Sequence, residues 1–300
     1  MKLAYEIDHL MYRYPRQTTW ASDDLSLTIA VGEVFGLLGD NGAGKSTLVK
    51  QMANLLTPTR GSIRLFGQPL NVNNSVQHIG YMPQTGMALN NLTVGEAFYF
   101  TAHLRGLSRP DARRERDRLL NLLELGSLRD RPILRLSGGQ KRLVSLASTL
   151  VASPPVVILD EPTNDLDPQN RSRVWELLRA VNAERGTTLV IVTHNVLEAE
   201  KVVQRVGIMQ CGRLAAVGRP GVLKGELNRH LRLEIIFASE CPPELPTDAA
   251  VTVLAPGRWL LLIEREQAPL YLAILNQTLS IEDFRLSTAT LEDLYLSMVH

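Results

Sequence analysis

Nine consecutive residues, Gly39-Asp40-Asn41-Gly42-Ala43-Gly44-Lys45-Ser46-Thr47, set three glycines ahead of a lysine and two hydroxyls. That order of residue types suits a polyphosphate. The glycines let successive backbone N–H groups turn inward toward oxygens. Lys45 reaches the outer phosphates, and Ser46 offers a hydroxyl to Mg²⁺. Val34 to Leu38 ahead of the loop reads as a strand, and Ser46 to Leu56 after it reads as a helix start. The helix adds a partial positive charge beneath an anion. By itself the motif points to a nucleoside triphosphate and no further.

A second cluster ends an apolar run. Val156-Val157-Ile158-Leu159 leads into Asp160 and Glu161. A buried strand would deliver Asp160 to the carboxyl edge of a sheet, where it can hold Mg²⁺. Glu161 is then placed to polarise an attacking water. The bland alternative is a strand that happens to end in solvated acids. Leu136-Ser137-Gly138-Gly139-Gln140-Lys141-Arg142 lies between these two clusters. Ser-Gly-Gly opening a helix makes a second anion-binding start, or else an ordinary N-cap.

These groups need a scaffold. Short β-branched runs at Val156–Leu159 and Leu189–Val192 read as buried parallel strands, and Ser62–Phe66 as a further strand. Strands alternating with helices predict a parallel sheet covered on both faces. Between them, Thr93 to Leu150 holds no strand pattern. Val94–Leu104, Arg109–Leu125 and Gln140–Leu150 read as three helices, with Pro110 in the first turn of the second. The tail reads as strands at Leu231–Phe237, Ala249–Leu254, Trp259–Glu264 and Ile281–Leu286, with helices at Ala268–Asn276 and Thr290–Met298.

Taken together and in this order, the motifs resemble those of the ATP-binding cassette family, the nucleotide-binding subunits of ABC transporters. The resemblance covers about residues 1–220. It implies a P-loop NTPase parallel-sheet core with an antiparallel β subdomain and a helical insertion at about 86–152. A small α+β unit follows, so the expected domains are 1–225 and 226–300. The resemblance assigns ATP to the loop at Gly39, Asn41, Gly42, Ala43, Gly44, Lys45, Ser46 and Thr47. Tyr14 would stack on adenine, with Tyr12 as a rival. Gln84, in Ile79-Gly80-Tyr81-Met82-Pro83-Gln84, matches the Q-loop glutamine that contacts Mg²⁺ or water. Mg²⁺ would thus meet Ser46, Gln84 and Asp160, while Glu161, Gln84, His194 and Lys45 would serve catalysis. Ser137, Gly138, Gly139 and Gln140 form the signature segment, expected to close over the ATP of a partner cassette, head to tail. Pro162 to Asp167 covers the D-loop, where Asp165 stands in place of the usual Gly or Ala. Asp40 replaces a proline common at its position.

The resemblance also implies partners: a separate multi-span membrane permease and a second cassette, identical or homologous. Thr290-Leu291-Glu292-Asp293-Leu294-Tyr295-Leu296 resembles the ending of ABC-2-type exporter cassettes, as does the Glu-Ala-Glu run after His194. Export is therefore expected over import, from the cytoplasmic face of the cell membrane. The alternative is a cassette acting on ribosomes or nucleic acid. One uninterrupted cassette argues against it, and a P-loop kinase would have no signature segment.

Composition agrees. In 300 residues, 32 basic against 31 acidic groups leave a net charge of +1, so no global field draws the chain to nucleic acid. The balance hides a break: residues 1–225 carry a net +7 and residues 226–300 a net −6. Arginines at 105, 109, 113, 114, 116 and 118 interleave with Asp111, Glu115 and Asp117 and read as a solvated helix face. Two cysteines, Cys211 and Cys241, make no disulfide framework. Glu6 and Asp8 interrupt any apolar leader. Leu143 to Leu159, uncharged but holding Pro154 and Pro155, is too short to span a bilayer.

Overall fold

A computed structural model describes residues 2–85, 89–194, 199–224, 230–238, 242–243, 245–246, 251–278, 280–288 and 293. The chain divides into two compact units, Met1–Val217 and Gly218–His300. The joint expected near Gly225 falls among residues 225–229, outside the described ones.

The first unit is built on two sheets. β1 (Leu3–Tyr12), β2 (Ser22–Ala30), β4 (Arg60–Leu65) and β5 (Gln68–Pro69) form an antiparallel sheet in the order β2-β1-β4-β5. β3 (Val34–Gly39), β6 (Ile79–Met82), β7 (Val156–Asp160), β8 (Thr188–Val192), β9 (Arg205–Gln210) and β10 (Arg213–Gly218) form the second, in the order β10-β9-β3-β8-β7-β6. From β9 to β6 the ladder is parallel. All five residues of β7 and of β8 are buried, which is why these strands read as unbroken apolar runs. Each such Val, Leu or Ile contributes about 1.5–3 kcal/mol on burial.

The helices start on local signals. α1 (Lys45–Met52) opens directly on the glycine loop. It ends sooner than its apolar spacing suggests, since Asn54 turns left-handed at φ 58° and leaves Leu55 exposed. After α2 (Val72–His78), the insertion holds α3 (Val94–Leu104), α4 (Arg109–Leu122) and α5 (Gly138–Thr149). Thr93 and Glu96 form a capping box on α3, and Ser108 caps α4 with Pro110 in its first turn. Glu124, at φ 53°, stops α4 short of Leu125. Three of the arginines expected on a solvated face are paired locally: Arg114 with Asp111, Arg116 with Asp117 and Arg118 with Glu115. α6 (Pro168–Arg185) begins on Asp167 and stops at left-handed Gly186.

One core joins the two sheets. Tyr5, Ile7, Leu10 and Leu25 of the antiparallel sheet pack with Phe35 and Leu37 of β3 and with Leu48, Val49 and Met52 of α1. Among the described residues no helix is long and apolar enough to cross a membrane.

The second unit holds β11 (His230–Phe237), β12 (Val251–Ala255), β13 (Arg258–Glu264) and β14 (Ile281–Thr288), in the order β12-β13-β11-β14. The helix Ala268–Gln277 covers Leu233, Ile235, Leu261 and Ile263 with Tyr271 and Leu275. The helix expected at Thr290–Met298 lies outside the described residues, except for Asp293. That carboxylate is fully buried and pairs with Arg232 of β11 at 2.6 Å.

Candidate nucleotide site

Four adjacent parallel strands end at one place. The phosphate loop follows β3, Gln84 follows β6, Asp160 and Glu161 end β7, and His194 follows β8. Their carboxyl ends share a sheet edge because Met82 pairs with Leu159, Asp160 with Val192 and Leu37 with Val192. Ligands of open parallel sheets bind at such edges. A cavity of about 540 Å³ opens there. Tyr14, Asn41, Gly42, Gly44, Lys45, Ser46, Thr47, Gln84, Asp160 and Glu161 line it.

The loop needs its glycines for different reasons. Gly39 (φ 143°) and Gly44 (φ 101°) adopt conformations that L side chains avoid. A Cβ on Gly39 would lie 2.3 Å from the Met209 carbonyl, and one on Gly44 2.2 Å from that of Ala21. Gly42, at φ 86°, faces open space. Ala43 is buried, and its N–H donates to the Asp40 carbonyl at 3.1 Å. The Lys45 ammonium curls back onto the Gly39 and Asp40 carbonyls, both at 2.7 Å. Burial holds its pKa below the usual lysine value, against the opposing pull of Glu161, Asp160 and Asp40.

The carboxylates lie deeper. Asp160 is 1% exposed, and neither of its oxygens has a hydrogen-bond donor in good geometry. Burial raises its pKa, although the nearby Ser46 hydroxyl favours the charged form. Two unsatisfied hard oxygens beside a hydroxyl are the donor set a small divalent cation seeks. Glu161 is 5% exposed and sits at φ 54°, a left-handed conformation that costs on the order of 1–3 kcal/mol and collects at functional sites. The His194 backbone N–H donates to Glu161 Oε1 at 3.1 Å, and the ring Nδ1 lies 2.9 Å from the same oxygen. Glu161 Oε2 is buried and unbonded. The arrangement offers a carboxylate with one oxygen oriented and the other free to take a proton.

The signature segment stands apart from this cavity's lining. Ser137 caps α5, accepting from the Gln140 N–H at 3.3 Å, while the Gln140 side chain accepts from the Ser137 N–H at 3.1 Å. Ser137 and Gly138 are exposed. Gly139 packs on the loop after β7, where a Cβ would lie 3.2 Å from the Asp165 carbonyl. An exposed, donor-rich helix start outside the cavity suits a phosphate reached from outside the chain.

On the base side, Tyr14 is half-buried, with its hydroxyl 3.2 Å from Thr47 Oγ1 and its ring edge-to-face with Tyr12 at 5.0 Å. Tyr14 lines the cavity and Tyr12 does not. Two contributors escaped the sequence reading. Trp20 also lines the cavity, with the Arg13 guanidinium 5.0 Å over its ring. Arg142 is buried and bonds carbonyls of the loops after β6 and β7. A lone arginine on a helix carries no pattern that foretells burial. Trp20 held a visible clue, an aromatic just ahead of a strand in the region of Tyr14.

The chain is similar to known proteins. The model of the ABC transporter family matches residues 22–164. The daunorubicin/doxorubicin resistance ATP-binding protein DrrA of Streptomyces peucetius is 33% identical, over 93% of this chain and 88% of its own length. The Nod factor export ATP-binding protein I of Paraburkholderia xenovorans is 39% identical, over 73% of this chain and 72% of its own. Human ATP-binding cassette sub-family A member 10 is 33% identical over 94% of this chain, which spans only 20% of that longer protein. Among solved structures, cbiO1 from Clostridium perfringens, part of the ABC transporter complex cbiONQ, is 31% identical with a TM-score of 0.67. That match covers 75% of this chain and 92% of cbiO1. This chain belongs to the ABC transporter family as an ATP-binding, ATP-hydrolysing cassette.

Proposed function

We propose that the cassette drives an export transporter, hydrolysing ATP at the interface of two head-to-tail cassettes and passing the closing motion to a separate membrane permease. The observation that carries this reading is the buried Asp160–Glu161 pair at the cavity, with the exposed His194 ring 2.9 Å from Glu161 Oε1. ATP lays its phosphates on the N–H groups from Asn41 to Thr47, with Lys45 exchanging the Gly39 and Asp40 carbonyls for phosphate oxygens. Tyr14 offers its face to the base. Asp160 and Ser46 would hold Mg²⁺, with Gln84 on the cavity wall beside them. Bound there, a divalent cation would neutralise charge on the phosphate oxygens. Glu161 takes the proton from the attacking water through its free Oε2, while His194 fixes Oε1. Ser137 and Gly139 of the second cassette, a copy of this chain or a homologue, close over the outer phosphate. Loss of that phosphate reopens the pair.

The export assignment rests on relatives whose names carry export or drug resistance. The permease reading has support in an apolar groove of about 430 Å³ lined by Leu55, Val72, Val76, Tyr81, Leu104 and Arg105. Leu104 is 84% exposed there and Val72 68%. Exposed apolar side chains gathered in a groove mark a protein interface. A permease docked there would hold the cassette at the cytoplasmic face of the membrane. The relatives named here are transporter proteins and lend no support to a role on ribosomes or nucleic acid.

The test is Glu161→Gln in the full chain. Turnover should fall by about 10²–10⁴-fold, and ATP should convert monomer to a stable dimer in size-exclusion chromatography. A variant that hydrolyses ATP like the parent would remove Glu161 as the base.

A further inference from the structure

Arg142 lies one helical turn inside α5 from the signature segment, with its guanidinium buried. Its hydrogen bonds run to backbone carbonyls of two separate loops. Nη1 donates to Pro83 O at 3.2 Å and to Gln84 O at 2.8 Å, in the loop after β6. Nη2 donates to Asp160 O at 2.5 Å and to Glu161 O, at the end of β7. Removing a guanidinium from water is costly, and burial alone lowers its pKa against the neighbouring charges of Asp160, Asp165 and Glu161. The two Nη groups of the guanidinium serve two pairs of carbonyls at once, which a lysine cannot match.

The second contact of α5 lies on the same turn. Gly139 meets the Asp165 backbone so closely that a Cβ would sit 3.2 Å from its carbonyl. The helix start is therefore gripped on one side by the loop that follows Glu161, and through Arg142 by the peptide of Glu161 itself. Glu161 needs such a grip, because its left-handed backbone persists only where the surroundings impose it.

We infer that Arg142 is a positioning residue that joins the signature helix to the chain's own catalytic carboxylate and to Gln84. Engagement of Ser137–Gly139 by the nucleotide of a second cassette is then felt at Glu161 in the engaged chain's own site. The two sites of a dimer are coupled through one guanidinium in each chain. This rests on the head-to-tail reading above for the identity of the engaging nucleotide, but the clamp on the two loops does not.

The experiment uses the full chain with Arg142→Met and Arg142→Lys. Arg142→Met should lower kcat by about 10–100-fold while KM for ATP changes by less than about 3-fold, the split expected for misplacement without lost binding. Cooperativity in ATP should fall to a Hill coefficient of about one. Arg142→Lys should recover part of kcat, since an ammonium keeps the charge but reaches fewer carbonyls. A kcat for Arg142→Met within about 2-fold of the parent would overturn the proposal, as would a fall in kcat matched by an equal rise in KM. Should Arg142→Met fail to fold, Arg142→Lys decides: reduced kcat at parent thermal stability supports the proposal, and parent kcat overturns it. Hydrogen exchange reads the clamp without reference to hydrolysis or to dimers. In the folded variant, amides near Gln84 and near Glu161 should both exchange faster than in the parent. Unchanged exchange in both would refute the clamp even if the head-to-tail reading stood.

Discussion

His194 grips Glu161 twice, with its backbone N–H at 3.1 Å and its ring Nδ1 at 2.9 Å from the same carboxylate oxygen. The doubled contact turns one oxygen away from chemistry and leaves the other free. It also separates two parts of what a histidine does here. His194→Ala keeps the backbone donor and loses only the ring, whereas His194→Gln restores a side-chain donor. Steady-state ATPase assays should show the alanine variant slowed by about 10²-fold or more and the glutamine variant in between. Equal rates for the two variants would break the link to orientation.

The base platform can be separated from the phosphate loop. Tyr14→Ala removes an aromatic face and also the hydroxyl near Thr47, while Tyr14→Phe removes only the hydroxyl. Base stacking contributes about 1–3 kcal/mol, so KM for ATP should rise by roughly 5- to 150-fold in Tyr14→Ala. Tyr14→Phe should stay near the parent. Triphosphate without a base should bind both variants as it binds the parent, measured by calorimetry.

Asp167 gives the unit a pH-dependent helix start. It accepts from the Asn170 N–H at 2.9 Å at the head of α6, which holds its pKa below the usual carboxylate value. A lowered folded pKa means stability that is present above the ordinary carboxylate range and lost as pH falls through the folded value. Thermal unfolding of Asp167→Ala should therefore lie below the parent at neutral pH, with the gap closing in acid. Asp167→Asn caps without titrating, and its gap to Asp167→Ala should not move with pH. A gap between parent and Asp167→Ala that widens in acid would reverse the assignment.

In the second unit, Arg232→Met takes the arginine partner from the fully buried Asp293 carboxylate. Breaking a buried pair on one side typically costs about 3–5 kcal/mol, whereas replacing both partners with apolar groups is often neutral. Arg232→Met should lower the transition of this unit in calorimetry, and Arg232→Met combined with Asp293→Leu should recover most of the loss. A double variant no better than the single would mean that Arg232 acts through packing instead.

Where residue type and spacing act locally, the fold was legible. The helix Val94–Leu104 has the bounds its pattern implied, because Thr93 and Glu96 announce its start. β7 and β8 were legible because strands buried on both faces are apolar throughout. The strands of the antiparallel sheet were harder. In β1 the register shifts between Ile7 and Leu10, and left-handed His9 puts two residues of like burial three apart. Period-two reading fails across such a bulge. α6 went unread although Asp167 and Pro168 mark its start. In the site, the loop, acid pair and histidine could be named from motifs, since each motif sits at a strand end. Trp20 carries a clue in its place near Tyr14, but Arg142 carries none, because its role depends on loops brought together only by the sheet.

The helix that carries Lys45, Ser46 and Thr47 is tethered to the antiparallel sheet as well as to its own strand. Tyr5 donates its hydroxyl to the Met52 carbonyl, Ser22 to Gln51, and Tyr14 meets Thr47. From behind, the Ala21 and Met209 carbonyls, one from each sheet's side, leave no room for a side chain at Gly44 or Gly39. The phosphate cradle is thus cast along a seam, and its shape is common property of both sheets. Damage to the far sheet will present as weakened nucleotide affinity before it presents as unfolding. A screen that scores only ATP binding will then return core residues such as Tyr5 and Leu25 alongside Lys45, and sorting them will take a measure of stability beside the measure of affinity.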